Sequence, residues 1–443
     1  MILTETHTIK RNKKTEDLFK QIDGYCFASK NLRNSTNYLI KQCSRISRKM
    51  QEGNALEDWE KDFVRDVNRA VLKYNKSGRT VKHTKTISKS NGFIADAYFL
   101  NWYLKATPDY KSIPYATCAR DCIQLLCRDW KSFYADMRVW QKNPQKLLGR
   151  PRTPRYYDKV SGRNWLDVQG QNLKVSDNGH LILPKVFGGI DIKLRHTEVV
   201  MISIITTKKA IKVRVCYRQN EESKTPGKNI MGIDLGVDNF AAVSFSTKTS
   251  PMLINGKSIK SINQFYNKEK ARLQEIAKKT NNRYTTARMC RLTERRNNKV
   301  ADYMHKASRK IIDLAIQNKV GVIVIGNNRG WKQSVEMGKK NNQHFVGIPY
   351  FTFIQMVSYK ASMAGIEVKV VDEAYTSGTS YLDGEMPTKE SYDKSRRLSR
   401  GKFRSNSGEC INADVNGAYQ IIKKFDAKIP IKHNENVIRV NVA

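Results

Sequence analysis

The sequence predicts a multidomain protein of the α+β class, in which a helical region, a β-rich region and an α/β region follow one another. Three observations predict this class. The chain has 443 residues, more than one hydrophobic core usually holds, and 40% of them are hydrophobic. Apolar residues recur at helical spacing in the first third, and short β-like runs follow them. Beyond about residue 230, short strands alternate with helices.

The first region is predicted to be one strand followed by helices. The first ten residues have weak strand periodicity, and residues 15–148 are helical in character. A buried helix face is predicted from apolar residues three or four apart, namely Leu126, Trp130, Phe133, Tyr134 and Met137. Residues 148–157 (LGRPRTPRYY) end the helical region, because two prolines and a glycine interrupt it.

The rest of the chain is predicted to be a small barrel or curled sheet and then an α/β domain. Strands of the β-rich region are expected at 173–175, 181–183, 190–194, 199–205 and 211–217. The polar stretch 220–228 is expected to be a linker. Strands of the α/β region are expected at 230–234, 240–245, 320–325 and 366–371, with helices before 320, at 349–364 and from 413.

The charge indicates a nucleic-acid partner. The chain has 80 Lys and Arg against 41 Asp and Glu, a net charge of +39. The excess is spread along the chain, with 44 basic and 22 acidic side chains in residues 1–230 and 36 and 19 in the rest. A basic body favours contact with a phosphate backbone over much of its length. The alternative is a ribosomal-type or merely alkaline protein.

Neither a membrane nor an oxidising compartment is expected. No run approaches the roughly 18–20 apolar residues that a membrane span needs, and no signal peptide is recognisable at the start of the sequence. The eight cysteines show neither a disulfide framework nor a CxxC pair. We therefore expect reduced thiols and a cytoplasmic protein in a prokaryotic cell or the host of a mobile element.

Two separated aspartate motifs are the candidates for chemistry. Asp234 ends a strand in GIDLGVDN (232–239), where a carboxylate among apolar residues is costly unless it meets a cation. Asp414 begins an amphipathic helix in INADVNGAYQII (411–422). Alone, the first is equally well explained as a satisfied turn and the second as a favourable charge at a helix N-terminus. Together they bracket the layout of an RNase H-like nuclease, where separated carboxylates converge on divalent metal.

These two motifs, with Thr376 and Ser377 between them, resemble the RuvC domain of TnpB proteins, the OrfB products of insertion sequences and ancestors of type V CRISPR effectors. The resemblance covers residues 230–425 and extends more loosely to 30–37 and 148–157. It implies a wedge β-barrel formed by 1–12 and 150–225, and a helical recognition domain inserted at 13–149. It also implies a RuvC nuclease domain at 226–443, with Asp234 and Asp414 as catalytic carboxylates.

The chain departs from this family at the middle carboxylate. Gly326 stands where the family has a glutamate at a strand end. The next strand ends with Asp372 and Glu373, and in a parallel sheet its end would lie about 4.8 Å from the end of the 320–325 strand. Glu373 is therefore predicted to be a relocated ligand. The alternatives are Asp372 and a site that has lost its third carboxylate. The predicted cofactor is Mg²⁺ or Mn²⁺, with two ions held by Asp234, Glu373 and Asp414.

A second departure is the zinc ribbon, which the family places between Ser377 and the last motif. Its four cysteine positions correspond here to residues without thiolates, namely Ser380, Asp383, Arg404 and Ser407. Residues 378–409 are thus predicted to be a degenerate ribbon without structural zinc.

Basic and aromatic residues outside the carboxylates are predicted to contact nucleic acid. A basic loop at 389–404 is either a solvated surface or a lid on the substrate, and residues 327–332 are either an ordinary turn or a substrate contact. The predicted nucleic-acid contacts are Arg150, Arg152, Arg155, Tyr156, Trp331, Lys332, Arg397 and Arg400.

The function predicted by the resemblance is RNA-guided cleavage of double-stranded DNA by a transposon-encoded endonuclease. The expected partners are a guide RNA and target DNA. The alternatives are an RNA-guided repressor without nuclease activity, a compact type V CRISPR effector, and an RNA chaperone that kept the scaffold.

Overall fold

The computed structural model describes residues 1–78, 83–91, 96–219, 227–281, 285–327, 347–399, 401–430, 432 and 434–442. Two compact units make up the chain, Met1–Asn220 and Glu221–Ala443, here called unit 1 and unit 2. Each unit mixes helices and strands, which confirms the predicted α+β class. None of the described helices has the length and apolar character to cross a membrane.

Unit 1 contains a helical part and two sheets. Its helices are α1 (Glu16–Gln51), α2 (Asp58–Lys76), α3 (Ala97–Leu104), α4 (Pro108–Lys111) and α5 (Ala116–Lys142). Its strands are β1 (Ile2–Lys10), β2 (Leu166–Gln169), β3 (Lys174–Val175), β4 (His180–Ile182), β5 (Asp191–Lys193), β6 (Val199–Thr207) and β7 (Ala210–Arg218). The sheet orders are β1-β7-β6-β2 and β3-β4-β5.

The β-barrel predicted for unit 1 is not confirmed, because its described strands form two separate open sheets. Helices α1 and α5 pack on the four-stranded sheet instead. Ile22 and Leu126 from these helices share one core with Ile202 and Val213 from the sheet. A sheet whose apolar face is covered by helices buries that face without closing on itself. Short alternating runs identify strands but do not tell what covers them.

Unit 2 is built around one six-stranded sheet. Its helices are α6 (Lys257–Asn281), α7 (Ala287–Gln317), α8 (Tyr350–Met363) and α9 (Ala413–Phe425). Its strands are β8 (Asn229–Leu235), β9 (Asn239–Phe245), β10 (Met252–Asn255), β11 (Val320–Gly326), β12 (Glu367–Val371), β13 (Arg397–Ser399), β14 (Lys402–Arg404), β15 (Cys410–Ile411) and β16 (Ile438–Val440). The main sheet has the order β12-β11-β8-β9-β10-β16, and β13, β14 and β15 form a small antiparallel sheet.

The main sheet separates two cores. Ile233 and Val243 pack with α7 and α8 in one core, whereas Ala242 and Val324 pack with α9 in the other. Because successive residues of a strand point to opposite faces, these cores lie on opposite sides of the sheet. Strands β8, β11 and β12 are parallel neighbours, so their carboxyl ends meet at the same edge. Asp234, which follows Ile233, is on the face that α9 covers.

Helix α9 lies unusually close to β8. A methyl group built on Gly232 would lie 2.3 Å from the backbone oxygen of Ala418 and 2.6 Å from Cγ1 of Ile422. The missing side chain at Gly232 is therefore what allows the backbone of α9 to approach the sheet.

We expect Gly232→Ala to lower the free energy of unfolding by about 1–3 kcal/mol, because α9 must move away from the sheet. Urea unfolding of the full chain measures the change. Gly24→Ala in α1 is the control, since nothing lies within 4 Å of the added methyl group. This control is expected to stabilise the protein by about 0.5–1 kcal/mol. Unchanged unfolding of Gly232→Ala would contradict the close packing of α9.

Candidate active site

Asp234 lies near the carboxyl end of β8, between two apolar residues that face the opposite core. Its side chain is directed at α9. A methyl group built on Gly417 of this helix would be only 2.5 Å from Oδ2 of Asp234. A glycine in α9 therefore makes room for the carboxylate, in the same way that Gly232 makes room for the helix.

Asp414 occupies the first turn of α9. Asn412 caps the helix, since its side-chain oxygen accepts hydrogen bonds from the backbone N–H groups of Asp414 and Val415. The Asp414 carboxylate accepts a hydrogen bond of 2.7 Å from Nδ2 of Asn239. The guanidinium of Arg397 lies 3.4 Å from its other oxygen. The two aspartate motifs are thus joined by a direct side-chain contact.

Glu373 lies beside Gly326, as the parallel arrangement of the strands predicts. Strands β11 and β12 pair in parallel with Gly326 opposite Val371, and the N–H of Asn327 donates to the backbone oxygen of Val371. A methyl group built on Gly326 would lie 3.1 Å from both Cβ and Oε2 of Glu373. The carboxylate of Glu373 therefore occupies the space that a side chain at position 326 would enter. Asp372 is exposed, and its Oδ1 accepts from the N–H of Ala374.

The charges of the three carboxylates influence one another. Burial raises the pKa of Asp234 well above its usual value, and the neighbouring carboxylates of Glu373 and Asp414 raise it further, whereas Arg397 opposes them. Burial, with a contribution from Asp372, raises the pKa of Glu373 to about 7, against the effect of Lys424. Carboxylates that crowd in this way are stabilised in their charged form by a cation.

The donor set is all oxygen, which suits Mg²⁺ or Mn²⁺ rather than a softer metal. Within the described parts of the chain, however, no three His, Cys, Asp or Glu side chains are arranged as a ready metal site. The carboxylates of Asp234, Glu373 and Asp414 therefore share an electrostatic environment without forming a finished coordination sphere.

Two residues near the carboxylates were not identified from the sequence as site residues. Asn239 is the last residue of the GIDLGVDN motif. Its amide side chain, just after the turn that follows Asp234, was the only sequence feature that could have indicated a role in the site. Tyr350 begins α8, is buried, and donates a hydrogen bond of 2.7 Å to the backbone oxygen of Gly236. Its ring stacks on Phe240. Tyr350 thereby fixes the turn that follows Asp234, which strand patterns alone do not reveal.

The predicted nucleic-acid contacts are distributed over both units. Arg397 is in unit 2 and contacts Asp414. Arg150, Arg152, Arg155 and Tyr156 are exposed residues of unit 1. The remaining predicted contacts lie outside the described residues, namely Trp331, Lys332 and Arg400.

Two of the four residues at the family's cysteine positions, Ser380 and Asp383, take part in a polar cluster. Asp383 accepts a hydrogen bond of 2.8 Å from the N–H of Asn406 and donates its own N–H to Oγ of Ser380. Glu385, which the sequence analysis did not identify, accepts from the N–H of Ser380 at 2.9 Å and from Arg396 at 2.6 Å. We call these five residues the Glu385 cluster.

The Glu385 cluster connects three chain segments, at residues 380–385, at Arg396 and at Asn406. Oε1 of Glu385 accepts a further hydrogen bond from the side chain of Asn406. Next to the cluster, the side chain of Asn416 in α9 accepts from the N–H of Tyr381 and donates to the backbone oxygen of Thr379. Carboxylates and amides thus attach the 379–406 segment to the helix that carries Asp414.

Two family profiles match unit 2 and its border. Residues 214–332 match OrfB_IS605, described as a probable transposase, and residues 350–421 match the Cas12f1-like TNB domain. No curated protein matches the chain.

Solved structures show only a distant likeness. A Cas12f1–sgRNA–target DNA complex is 14% identical, with 95% of this chain and 98% of the other covered and a TM-score of 0.34. Alicyclobacillus acidoterrestris C2c1 in complex with single-guide RNA is 10% identical, with 89% and 69% covered and a TM-score of 0.38. At these TM-scores the similarity supports no argument about function.

We expect Glu385→Ala to lower the free energy of unfolding by about 1–3 kcal/mol, because Arg396 loses its nearer carboxylate partner, whose side chain is only 17% exposed, and keeps the longer contact with Asp393 at 3.6 Å. Lys389→Met, at an exposed position of the same segment, is the control and should change little. Metal analysis of the purified protein should find no stoichiometric zinc. One tightly bound zinc per chain would contradict the structural role of the Glu385 cluster.

Proposed function

From the membership of this chain in the OrfB (TnpB) family, together with its Cas12f1-like segment, we propose that the protein is an RNA-guided, transposon-encoded DNA endonuclease. The observation that supports this proposal is that Asp234 and Glu373 lie near the carboxyl ends of the parallel strands of unit 2, with Asp414 hydrogen-bonded to Asn239 and its charge acting on Asp234. Separated carboxylates at a strand edge are the arrangement that phosphodiester hydrolysis by divalent metal requires.

In this proposal residues 226–443 form a RuvC domain of the RNase H-like type. The order of the main sheet supports it, because three antiparallel strands (β10, β9 and β8) are followed by the parallel strands β11 and β12. Residues 378–409 correspond to the degenerate ribbon. Residues 1–12 and 150–225 correspond to the wedge domain, and residues 13–149 to the helical recognition domain.

The chemistry is assigned to the three carboxylates. Mg²⁺ or Mn²⁺ bound by Asp234, Glu373 and Asp414, as two ions, would supply activated water and stabilise the leaving 3′ oxygen. Asn239 donates a hydrogen bond to one oxygen of Asp414 and thereby orients the carboxylate. Gly417 has no side chain that would displace the Asp234 carboxylate. Arg397, whose guanidinium lies beside Asp414, would contact the phosphate of the substrate strand.

The partners in this proposal are a guide RNA and double-stranded target DNA. The net charge of +39, spread over both halves of the chain, supports extensive contact with phosphates. A compact type V CRISPR effector is the second candidate, favoured by the match of residues 350–421. The genomic neighbourhood separates the two, since a transposon is bounded by its own ends and an effector lies near a repeat array.

A repressor without nuclease activity is favoured only by the glycine at position 326. The carboxylate of Glu373 in the adjoining space argues for the nuclease, because it restores an acid at this strand edge.

The purified protein is expected to carry one defined RNA species, because a guide is bound through its structure as well as its charge. Sequencing of the RNA that copurifies tests this expectation. A collection of unrelated cellular fragments would remove the support for guided cleavage.

Glu373→Ala is expected to abolish Mg²⁺-dependent DNA cleavage as completely as Asp234→Ala or Asp414→Ala, because the site loses a ligand and its negative charge. Guide-dependent DNA binding should be retained, since it depends on remote phosphate contacts. Cleavage and binding are measured on the same RNA-loaded preparations. Asp372→Ala, which removes the adjacent exposed carboxylate, is the matched control and should cut normally.

Gly326→Glu in the Glu373→Ala background is expected to recover part of the activity. The flexible end of Ile421, whose Cδ1 would be 2.5 Å from the new Cβ, must move to admit the side chain. The Cβ of residue 373, which remains in the alanine background at 3.1 Å, must shift by a few tenths of an ångström. Cleavage by Glu373→Ala at the wild-type rate would refute the relocated ligand. A wild type that binds guided DNA but never cuts in Mg²⁺ or Mn²⁺ would establish the repressor.

A further inference from the structure

An irregular segment of unit 1, residues 150–157, is held across α1 by side chains of that helix. The segment has no regular secondary structure. Asn34 pairs with both backbone groups of Tyr157, donating to its oxygen and accepting from its N–H, each at 2.9 Å. Asn37 donates to the oxygen of Pro154 at 3.0 Å, and Arg33 donates to the oxygen of Arg155 at 3.0 Å.

The groups that hold the segment are themselves fixed. Asn37 is completely buried, and its side-chain oxygen accepts from Nε1 of Trp130 at 2.9 Å. Lys30 is 1% exposed and donates to the oxygen of Lys159 at 2.7 Å, just beyond the segment. Burying an amide and an ammonium is unfavourable unless they are hydrogen-bonded. A fold that buries both groups to fix an irregular segment gives this segment a defined shape.

The outer side of the segment is basic and aromatic. Arg150, Arg152 and Arg155 are exposed, and within the described residues none of the three forms an ion pair. Tyr156 and Tyr157 are each partly covered by a cation of α1, with Lys41 4.3 Å and Arg33 4.4 Å from the ring centres. The backbone is therefore used for attachment to α1, whereas the guanidinium groups remain available.

We propose that residues 150–157 form a preorganised basic strip that binds the phosphate backbone of a nucleic-acid duplex. The proposal rests on the proposed function only in taking nucleic acid as the partner. The five residue-to-residue steps from Arg150 to Arg155 span up to about 17 Å when the chain is extended. One strand of a duplex presents a phosphate about every 3.4 Å of its axis, so several phosphates lie within reach of the strip. Because α1 already fixes the backbone, little ordering accompanies binding.

The test uses one variant that removes the charges of the strip and another that removes hydrogen bonds holding the strip to α1. Binding constants are measured over a range of salt concentrations for a nuclease-inactive Asp234→Ala protein, with an RNA stem-loop and a blunt DNA duplex of arbitrary sequence as probes. The salt slope is the magnitude of the change in the logarithm of the binding constant with the logarithm of salt concentration. Replacing Arg150, Arg152 and Arg155 together by Gln should reduce it by about 2.7, which is about 0.9 for each lost phosphate contact. These exposed substitutions leave the hydrogen bonds to α1 in place.

Asn34→Ala is the complementary variant. It retains every charge, so the salt slope should stay at the wild-type value while affinity falls several-fold at all salt concentrations. Lys61→Gln is the control for a lost surface charge, because Lys61 pairs with Asp58 in an acidic part of α2. It should leave slope and affinity nearly unchanged.

If the triple variant has a reduced salt slope with the RNA probe alone, the strip binds the guide RNA. If its salt slope is reduced with the DNA probe alone, the strip binds the target DNA. Wild-type slopes of the triple variant with both probes would overturn the proposal. No cleavage step enters this measurement, so failure of the nuclease assignment leaves its result intact.

Discussion

The contact of α9 with β8 determines the candidate site of unit 2. The helix backbone occupies the space that a methyl group would need at Gly232, and the Asp234 carboxylate occupies that space at Gly417. This contact brings Asp414, in the first turn of α9, to the edge where Asp234 ends its strand. Burial, followed by repulsion from the Glu373 and Asp414 carboxylates, raises the pKa of Asp234 well above its usual value. Close packing thereby creates the electrostatic condition that a divalent cation satisfies.

Unit 1 repeatedly uses asparagine side chains to hold irregular chain segments against helices. Asn34 pairs with both backbone groups of Tyr157, Asn75 with those of Thr84, and Asn68 with those of Ile87. An amide side chain presents one donor and one acceptor, as a neighbouring strand does, and so satisfies a backbone that is outside any sheet. In unit 2, Asn416 makes the same kind of paired contact with the segment that contains the Glu385 cluster. Segments without regular structure thus receive backbone hydrogen bonds from side chains of neighbouring helices.

The positions of Asp234, Glu373 and Asp414 were accessible from the sequence because strand ends are recognisable and parallel strands end together. Hydrophobic runs located β8, β11 and β12, and their parallel pairing placed Glu373 beside Gly326. The contacts of Asn239, Tyr350 and Glu385 were not accessible, since each depends on a side chain that meets a distant segment. The barrel is not confirmed, for a related reason. Apolar alternation shows that one face of β6 and β7 is buried, but only the packing of α1 and α5 shows what buries it.

The pairing of β11 with β12 has a consequence for the history of the site. A side chain at position 326 would begin 3.1 Å from Oε2 of Glu373. Two glutamates in this space would be crowded and would repel each other, so a site with both acids would be electrostatically unfavourable in the absence of a cation. Related chains should therefore carry an acid at one of the two strand ends and a small residue at the other, in a mutually exclusive pattern. The carboxylate is defined by its position at the edge of the sheet, and either of two sequence positions can place it there.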